Sequence, residues 1–412
     1  MSTETTSLPL TETVTPADED ALAEQVADCF QQQLPVYPLG GCTSQDYGLP
    51  PRQEGLGLSL AGLDRLVDFP ARDLTVTVEA GISMATLAGQ VAAEGLQLPV
   101  HVPAAEQATI GGVIATNWNG PARPGYGTIR DYVIGISAVD GKGLPFRGGG
   151  RVVKNVAGYD FCKLLTGSLG TLGVITQVTL RLKPIPARAT TLVVPLDDLD
   201  QAEKLLCGLV DSQVTPYAVE LLSGDPWQDA PGMDSLSPWH MAISCCGTED
   251  EVGYMVEQLA EELAGQSLPA PRQLDEEEHQ QLWSELVEFS ACQEAPLVIQ
   301  ATMVPSGTTP FIRESRQLDP ACSIQAHAGS GIVIVRFSEF PSDGLSRILV
   351  ATLQPAAAAA HGNVVSLSNP SGQEMTARST WGSIPAPLFL LSRIKNNFDP
   401  GNVLNPGRFV YP

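Results

Sequence analysis

Apolar positions along the chain follow two periods, one of a helix and one of a strand. Leu22, Val26 and Phe30 recur at helical spacing behind Pro16 and a run of acids, which predicts a first helix over 16–33. Residues 35–38 then predict a short strand entering Leu39-Gly40-Gly41-Cys42-Thr43-Ser44. Alternating or continuous apolar runs predict strands over 56–60, 74–81, 96–100 and 174–182. Between them lies a helix over 83–94, with Met84, Leu87, Ala88 and Val91 on one face. Residues 131–139 and 144–147 flank Asp140-Gly141-Lys142-Gly143, a hairpin turn sequence.

From about residue 190 the pattern changes. Strand, helix, strand, strand, helix is expected up to residue 263, and strand, helix, strand, strand, helix, strand over 297–367. That order predicts a split βαβ layer, a sheet covered by helices on one side. A last helix over 388–398 stops at Asp399-Pro400-Gly401. The acidic runs 248–251 and 275–278 read as solvated faces, residues 1–15 as a frayed end, and no repeat of fixed period is visible.

Composition narrows the class of function. Thirty-nine glycines and 33 prolines in 412 residues of average hydrophobicity fit a turn-rich globular protein. The net charge of −23 disfavours a polyphosphate partner, so nucleic-acid binding is not expected. Eight cysteines are scattered without a Cys-x-x-Cys pair, which reads as buried thiols and gives no metal or iron–sulfur site. The N-terminus has no basic start followed by an apolar core, and no apolar run is long enough to span a bilayer. The expected location is the cytoplasm, with the inner face of a membrane reached only through partners.

Four glycine-rich segments carry the candidate chemistry. In the first, 39–44, glycines without Cβ let main-chain N–H groups converge on an anion, with Thr43 and Ser44 as hydroxyl donors. An ordinary glycine turn is the competing reading. In the second, Pro103 to Asn117, Thr109-Ile110-Gly111-Gly112 opens a short helix whose first N–H groups suit a pyrophosphate. Tight helix–sheet packing explains the same small residues. The third, 120–131, combines a rigid loop with the cations Arg123 and Arg130; the fourth runs from Lys154-Asn155-Val156-Ala157-Gly158-Tyr159-Asp160 to Gly167-Ser168-Leu169-Gly170-Thr171-Leu172-Gly173-Val174-Ile175. No G-x-G-x-x-G opens a strand–helix unit with an acid about 20 residues on, so a Rossmann dinucleotide site is disfavoured.

Taken in order, the Gly-Gly loop, Val78-Glu79-Ala80-Gly81, Thr-Ile-Gly-Gly, Tyr126-Gly127-x-x-Arg130-Asp131 and Gly-Ser-x-Gly-Thr-Leu-Gly-Val-Ile-Thr resemble the FAD-binding domains of the vanillyl-alcohol-oxidase/p-cresol-methylhydroxylase (PCMH) type. Residues 149–160 further resemble the E-type FAD-binding chains of bacterial glycolate oxidases. The resemblance implies an α+β protein: a two-subdomain FAD-binding domain over 16–187, an α+β cap with a ferredoxin-like sheet over 188–385, and a C-terminal segment, 386–412, returning to the FAD domain. It implies FAD bound by Gly40, Gly41, Cys42, Thr43, Ser44, Pro103, Thr109, Gly111, Gly112, Gly127, Arg130, Val174, Ile175, Asn405 and Arg408. Covalent relatives carry His after Gly-Gly; Cys42 stands there, which implies dissociable FAD, with a thioether as the minor alternative.

By the same resemblance, the expected activity is oxidation of glycolate to glyoxylate. The expected partners are a larger D-like flavoprotein and an F-like iron–sulfur protein. The larger chain's His-x-Gly-Asp-Gly-Asn motif is absent, and His327-Ala328-Gly329-Ser330-Gly331 stands in a similar region. An assembly subunit without its own turnover, and a stand-alone dehydrogenase of D-lactate or another 2-hydroxy acid, therefore stay open. Such chemistry needs a cation for the carboxylate, a base for the hydroxyl proton and a flavin acceptor. Lys154 and Tyr159 are the candidate catalytic residues, each also readable as surface or packing. His327 reads as a base or as a hydrogen-bonded structural histidine.

Overall fold

A computed structural model describes residues 8–150, 158–234, 236–266, 268–291, 294–383 and 387–410. The chain divides into two compact units. The first comprises Met1–Asn119, Thr128–Ile185 and Ile384–Pro412; the second comprises Gly120–Gly127 and Pro186–Ser383. The short excursion Gly120–Gly127 has no counterpart in the boundaries read from sequence.

The first unit begins with a correction. Residues expected to fray form strand β1 (Leu10–Val14), paired in parallel with β3 (Gly55–Ser59), which also pairs with β2 (Val36–Leu39). Between β1 and β2 lies α1 (Glu19–Gln32), whose N-cap Asp18 accepts from the Ala21 amide and whose Leu22, Ala23, Val26 and Cys29 are buried. A second sheet has the order β4-β5-β9-β7-β8. Its members are β4 (Leu66–Asp68), β5 (Thr75–Glu79), β7 (Val133–Val139), β8 (Pro145–Gly149) and β9 (Val174–Arg181). Thr77 and Thr179 share a hydrogen bond of 3.0 Å across the β5–β9 pair. Asp140 shapes the β7–β8 hairpin by accepting the Lys142 and Leu144 amides through Oδ1. Helix α2 (Met84–Ala92) and the two-residue strand β6 (Leu96–Gln97) precede α3 (Ile110–Thr116). Ile110 and Ile114 anchor α3 in the core formed with β2, β3, β5, β7 and β9. The short helix α5 (Ile129–Tyr132) ends the third glycine-rich segment, α6 (Phe161–Leu165) lies within the fourth, and β10 (Lys183–Pro184) pairs with β6.

The second unit holds α4 (Arg123–Tyr126) and an eight-stranded antiparallel sheet. Its first half is β11 (Arg188–Leu196), α7 (Leu199–Val210), β12 (Ala218–Ser223), β13 (Trp239–Gly247), α8 (Glu249–Gly265) and β14 (Arg272–Gln273). Helix α9 (Glu276–Glu288) follows. The second half is β15 (Val298–Thr302), α10 (Thr308–Leu318), β16 (Ser323–His327), β17 (Ile332–Arg336), a π-helical stretch Ser346–Leu353 running into α11 (Gln354–Ala359), and β18 (Asn363–Ser368). The strand order is β14-β11-β13-β12-β16-β17-β15-β18. Each half is therefore a split βαβ unit, and the two meet edge to edge at β12 and β16 in mirrored order. This repeat of topology carries no repeat of sequence period. The acidic run 275–278 is more than a solvated face: Asp275 and Glu278 form a capping box that starts α9, which buries His279, Leu282, Trp283 and Leu286. Helix α12 (Ala377–Trp381) follows β18, and α13 (Leu388–Phe398) belongs to the first unit.

Candidate functional site

The first unit contains a cleft open to solvent. It is lined by Gly40, Gly41, Cys42, Thr43, Ser44, Pro103, Thr109, Gly111, Gly112, Val174, Ile175, Asn405 and Arg408. Four separate segments of the chain thus share one cleft. Gly127 and Arg130 do not line it: Gly127 closes α4 in the second unit, and Arg130 is exposed on α5. Tyr159 is also outside the lining and stands 87% exposed. Lys154 lies outside the described residues.

The two glycine loops differ in what they offer. At the start of α3 the expected bare amides are already used. The Ile110 N–H donates to Ile82 O, the Gly111 N–H to Ala80 O, and the Gly112 N–H to Thr109 Oγ1 at 3.4 Å. The reason is packing: a Cβ on Gly111 would stand 2.9 Å from Ala80, so α3 lies directly on the end of β5. The 40–44 turn is different. The amides of Gly40, Gly41, Thr43 and Ser44 donate to no group among the described residues. The turn is held by shape, because a Cβ on Gly41 would meet Gln107 O at 1.6 Å. Cys42 takes the left-handed conformation (φ 57°), and its thiol lies 3.7 Å from Gly40 O. Such amides, without acceptors among the described residues and gathered in a concave turn, suit the oxygens of a diphosphate. This donor set fits FAD.

Gln45, Tyr47 and Trp118, not marked in the sequence, complete the walls together with Thr116, Leu169 and Gly170 of the second and fourth glycine-rich segments. Burial pushes the Tyr47 phenol up to about 12, so it stays neutral and protonated. Asn117-Trp118-Asn119, directly behind the small residues of α3, was the available signal for Trp118. Arg408 is 8% exposed and donates to the main-chain oxygens of Leu49, Gln45 and Tyr47 at 2.9, 2.6 and 3.0 Å. Asn405 donates from Nδ2 to Leu169 O at 2.6 Å. These two side chains tie the C-terminal segment to two walls.

In the second unit, His327 is buried and its Nδ1 lies 2.8 Å from both carboxylate oxygens of Glu220, its directly opposed neighbour across β12–β16. Burial pushes the Glu220 carboxyl up, against the pull of His327 and of Gln325, which donates to it at 3.0 Å. The pair joins the two halves of the sheet. Arg336 donates to Phe289 O and sits 4.0 Å over the Phe289 ring, a packing role. No group of three His, Cys, Asp or Glu able to hold a metal occurs among the described residues, and no helix among them is long and apolar enough to cross a membrane.

Comparison with known proteins agrees with this geometry. A family model described as "FAD binding domain" matches residues 11–148. The D-lactate dehydrogenase of Archaeoglobus fulgidus is 28% identical over 96% of this chain and 90% of its own length. The glycolate oxidase chain GlcE of Escherichia coli is 34% identical over 42% of this chain, a match spanning about half (49%) of that protein. Among solved structures, an alkyldihydroxyacetonephosphate synthase superposes with a TM-score of 0.67 over 96% of this chain and 75% of its own, at 16% identity, a likeness of fold. Residues 11–148 thus match the FAD binding domain family, and FAD is the cofactor.

Proposed function

We propose that this chain oxidises a small 2-hydroxy acid, glycolate to glyoxylate in the first reading, as the FAD-carrying subunit of a complex with a D-like flavoprotein and an F-like iron–sulfur protein. The observation that carries the cofactor site is the 40–44 turn, where the amides of Gly40, Gly41, Thr43 and Ser44 donate to no group among the described residues. Support for the substrate class comes from the resemblance of residues 149–160 to the E-type chains of glycolate oxidases and from the match to GlcE.

In this reading the amides of the first turn hold the diphosphate, while Thr43 and Ser44 add hydroxyl donors. Arg408 places a buried positive charge on the same wall. Gly112 leaves room, since a Cβ there would meet only Thr109 Oγ1, at 3.3 Å. Trp118 and Tyr47 exclude water from the adjoining wall. Bound FAD supplies the acceptor for the electron pair that leaves the hydroxyl-bearing carbon. Lys154 is assigned to the substrate carboxylate, and Tyr159, standing in solvent, is given no part. FAD is held without a covalent bond. Acid precipitation of the yellow protein is expected to leave the colour in the supernatant; colour in the pellet retained by a Cys42→Ser variant would also exclude a thioether there.

A second reading, a stand-alone D-lactate dehydrogenase, is favoured by one observation: the Archaeoglobus match runs along 96% of this chain and 90% of that enzyme. Anaerobic addition of glycolate or D-lactate to the purified flavoprotein separates the two. Bleaching by glycolate only when the partner subunits are present supports the complex. Bleaching by D-lactate in the isolated chain supports the second reading. A flavin that neither acid reduces, with or without partners, leaves the chain as an assembly subunit.

A further inference from the structure

Helix α13 is inverted with respect to ordinary burial. Phe389 and Leu390 are exposed, Leu391, Ile394 and Phe398 are half-buried, and the fully buried side chain is Lys395, at 3%. A buried ammonium is costly unless each of its protons is used. Here all are: Nζ donates to Asp399 Oδ2 at 2.6 Å, Thr171 O at 2.9 Å and Leu404 O at 3.0 Å. Asp399 is 0% exposed and accepts in addition the amides of Val403 and Leu404, at 3.0 and 2.8 Å.

The groups so joined are not local to α13. Thr171 belongs to the segment that contributes Leu169, Gly170, Gly173, Val174 and Ile175 to the cleft. Leu404 precedes Asn405, whose amide donates to Val36 O in β2, the strand that runs into the 40–44 turn. From there Asn405 holds Leu169 O and Arg408 holds the carbonyls of residues 45–49. A buried ion pair adds little net stability over an apolar pair of similar volume, but it fixes which groups meet. What this pair fixes is the register of two cleft walls against the C-terminal segment.

We propose that Lys395 and Asp399 are positioning residues for the cofactor: a buried clasp that sets the spacing of the 167–175 and 403–408 segments, and through them the affinity for FAD. The inference rests on the reading that this cleft is the FAD site. Neither side chain lines the cleft, so neither touches the cofactor.

The test uses the full chain carrying Lys395→Met with Asp399→Asn. Asn keeps one acceptor oxygen, for the Val403 amide, and Met fills the lysine's space without a charge. FAD affinity is measured by fluorescence titration of the apoprotein, and hydrogen exchange of the apoprotein is followed at 167–175 and 403–408. The expected result is a rise in Kd of about tenfold or more, with faster exchange in those two segments and unchanged exchange in the β11–β18 sheet. A Kd within twofold of the parent overturns the proposal, whatever happens to thermal stability. Should the double variant not fold, Asn405→Gly decides, because it keeps the left-handed backbone (φ 43°) and removes the bond to Leu169 O; an unchanged Kd there sinks the clasp equally. Gly112→Leu, which fills the cleft, is the control. If it binds FAD normally, the cleft reading fails; if it loses FAD while the clasp variant binds normally, only the clasp fails.

Discussion

Gly41 shows how a single missing Cβ shapes the cleft. A methyl group there would lie 1.6 Å from Gln107 O, and the obstacle is backbone that cannot rotate away. Gly41→Ala is expected to lower unfolding free energy by about 1–3 kcal/mol, the usual cost of overpacking, and to weaken FAD binding with it. Urea denaturation and flavin titration check both. Buried histidines set a second residue-scale expectation. Burial pushes His279 down to about 4 from an ordinary 6.5, and His101 likewise. The folded protein keeps both neutral, while the unfolded chain takes up protons below about 6.5. Stability is therefore lost as pH falls from 6.5 towards 4, and His279→Gln should flatten part of that slope in urea midpoints measured across the range. Glu79 acts lower. Burial raises its carboxyl, but bonds from the Arg65 side chain and amide outweigh this and hold it below the usual 4.5. Its contribution disappears only as pH falls through that lowered value, so the histidine and carboxylate steps occupy different windows.

At the level of elements, the caps decide where helices begin. Asp275 accepts the Glu278 amide at 2.9 Å and starts α9, a helix whose charged first turn hides a buried face. Asp275→Ala is expected to cost about 1 kcal/mol, read from hydrogen exchange of the α9 amides. The same helix shows what sequence reading missed. Four consecutive acids suggested a solvated run, and the apolar set Leu282, Trp283 and Leu286 behind them was too short a signal without the cap. Elements with a long, clean period were legible. The first helix, expected over 16–33, is Glu19–Gln32, and the strand expected over 174–182 is Val174–Arg181. The cleft was half legible. Small residues at 40–44 and 109–112 announced close backbone approach, but sequence could not tell a bare amide from one already bonded, and the latter is what α3 shows. Lys395 left no trace at all, because a lysine on a terminal helix reads as solvent-facing.

Each unit has its own main core, and that of the second is built by doubling one motif about the β12–β16 seam. Nothing in sequence period betrays this, because sheet topology repeats while side chains diverge. The buried carboxylate–imidazole pair at that seam, Glu220 with His327, stands where the two halves meet. Cofactor linkage should act on one core alone. With FAD at about 100 times its Kd, the first unit is expected to gain about 2.7 kcal/mol. Hydrogen exchange should slow in β5, β7 and β9 by the corresponding factor, on the order of 100, and stay unchanged in β13 and β16. Slowing in both sheets would mean that the two cores unfold together.

Arg408 grips carbonyls 359 to 363 residues earlier in the chain. A ribosome therefore has to deliver the chain as far as residue 408 before the wall around residues 45–49 can close. Flavin loading consequently waits for that segment, and nascent chains halted before residue 400 should emerge unable to retain the pigment.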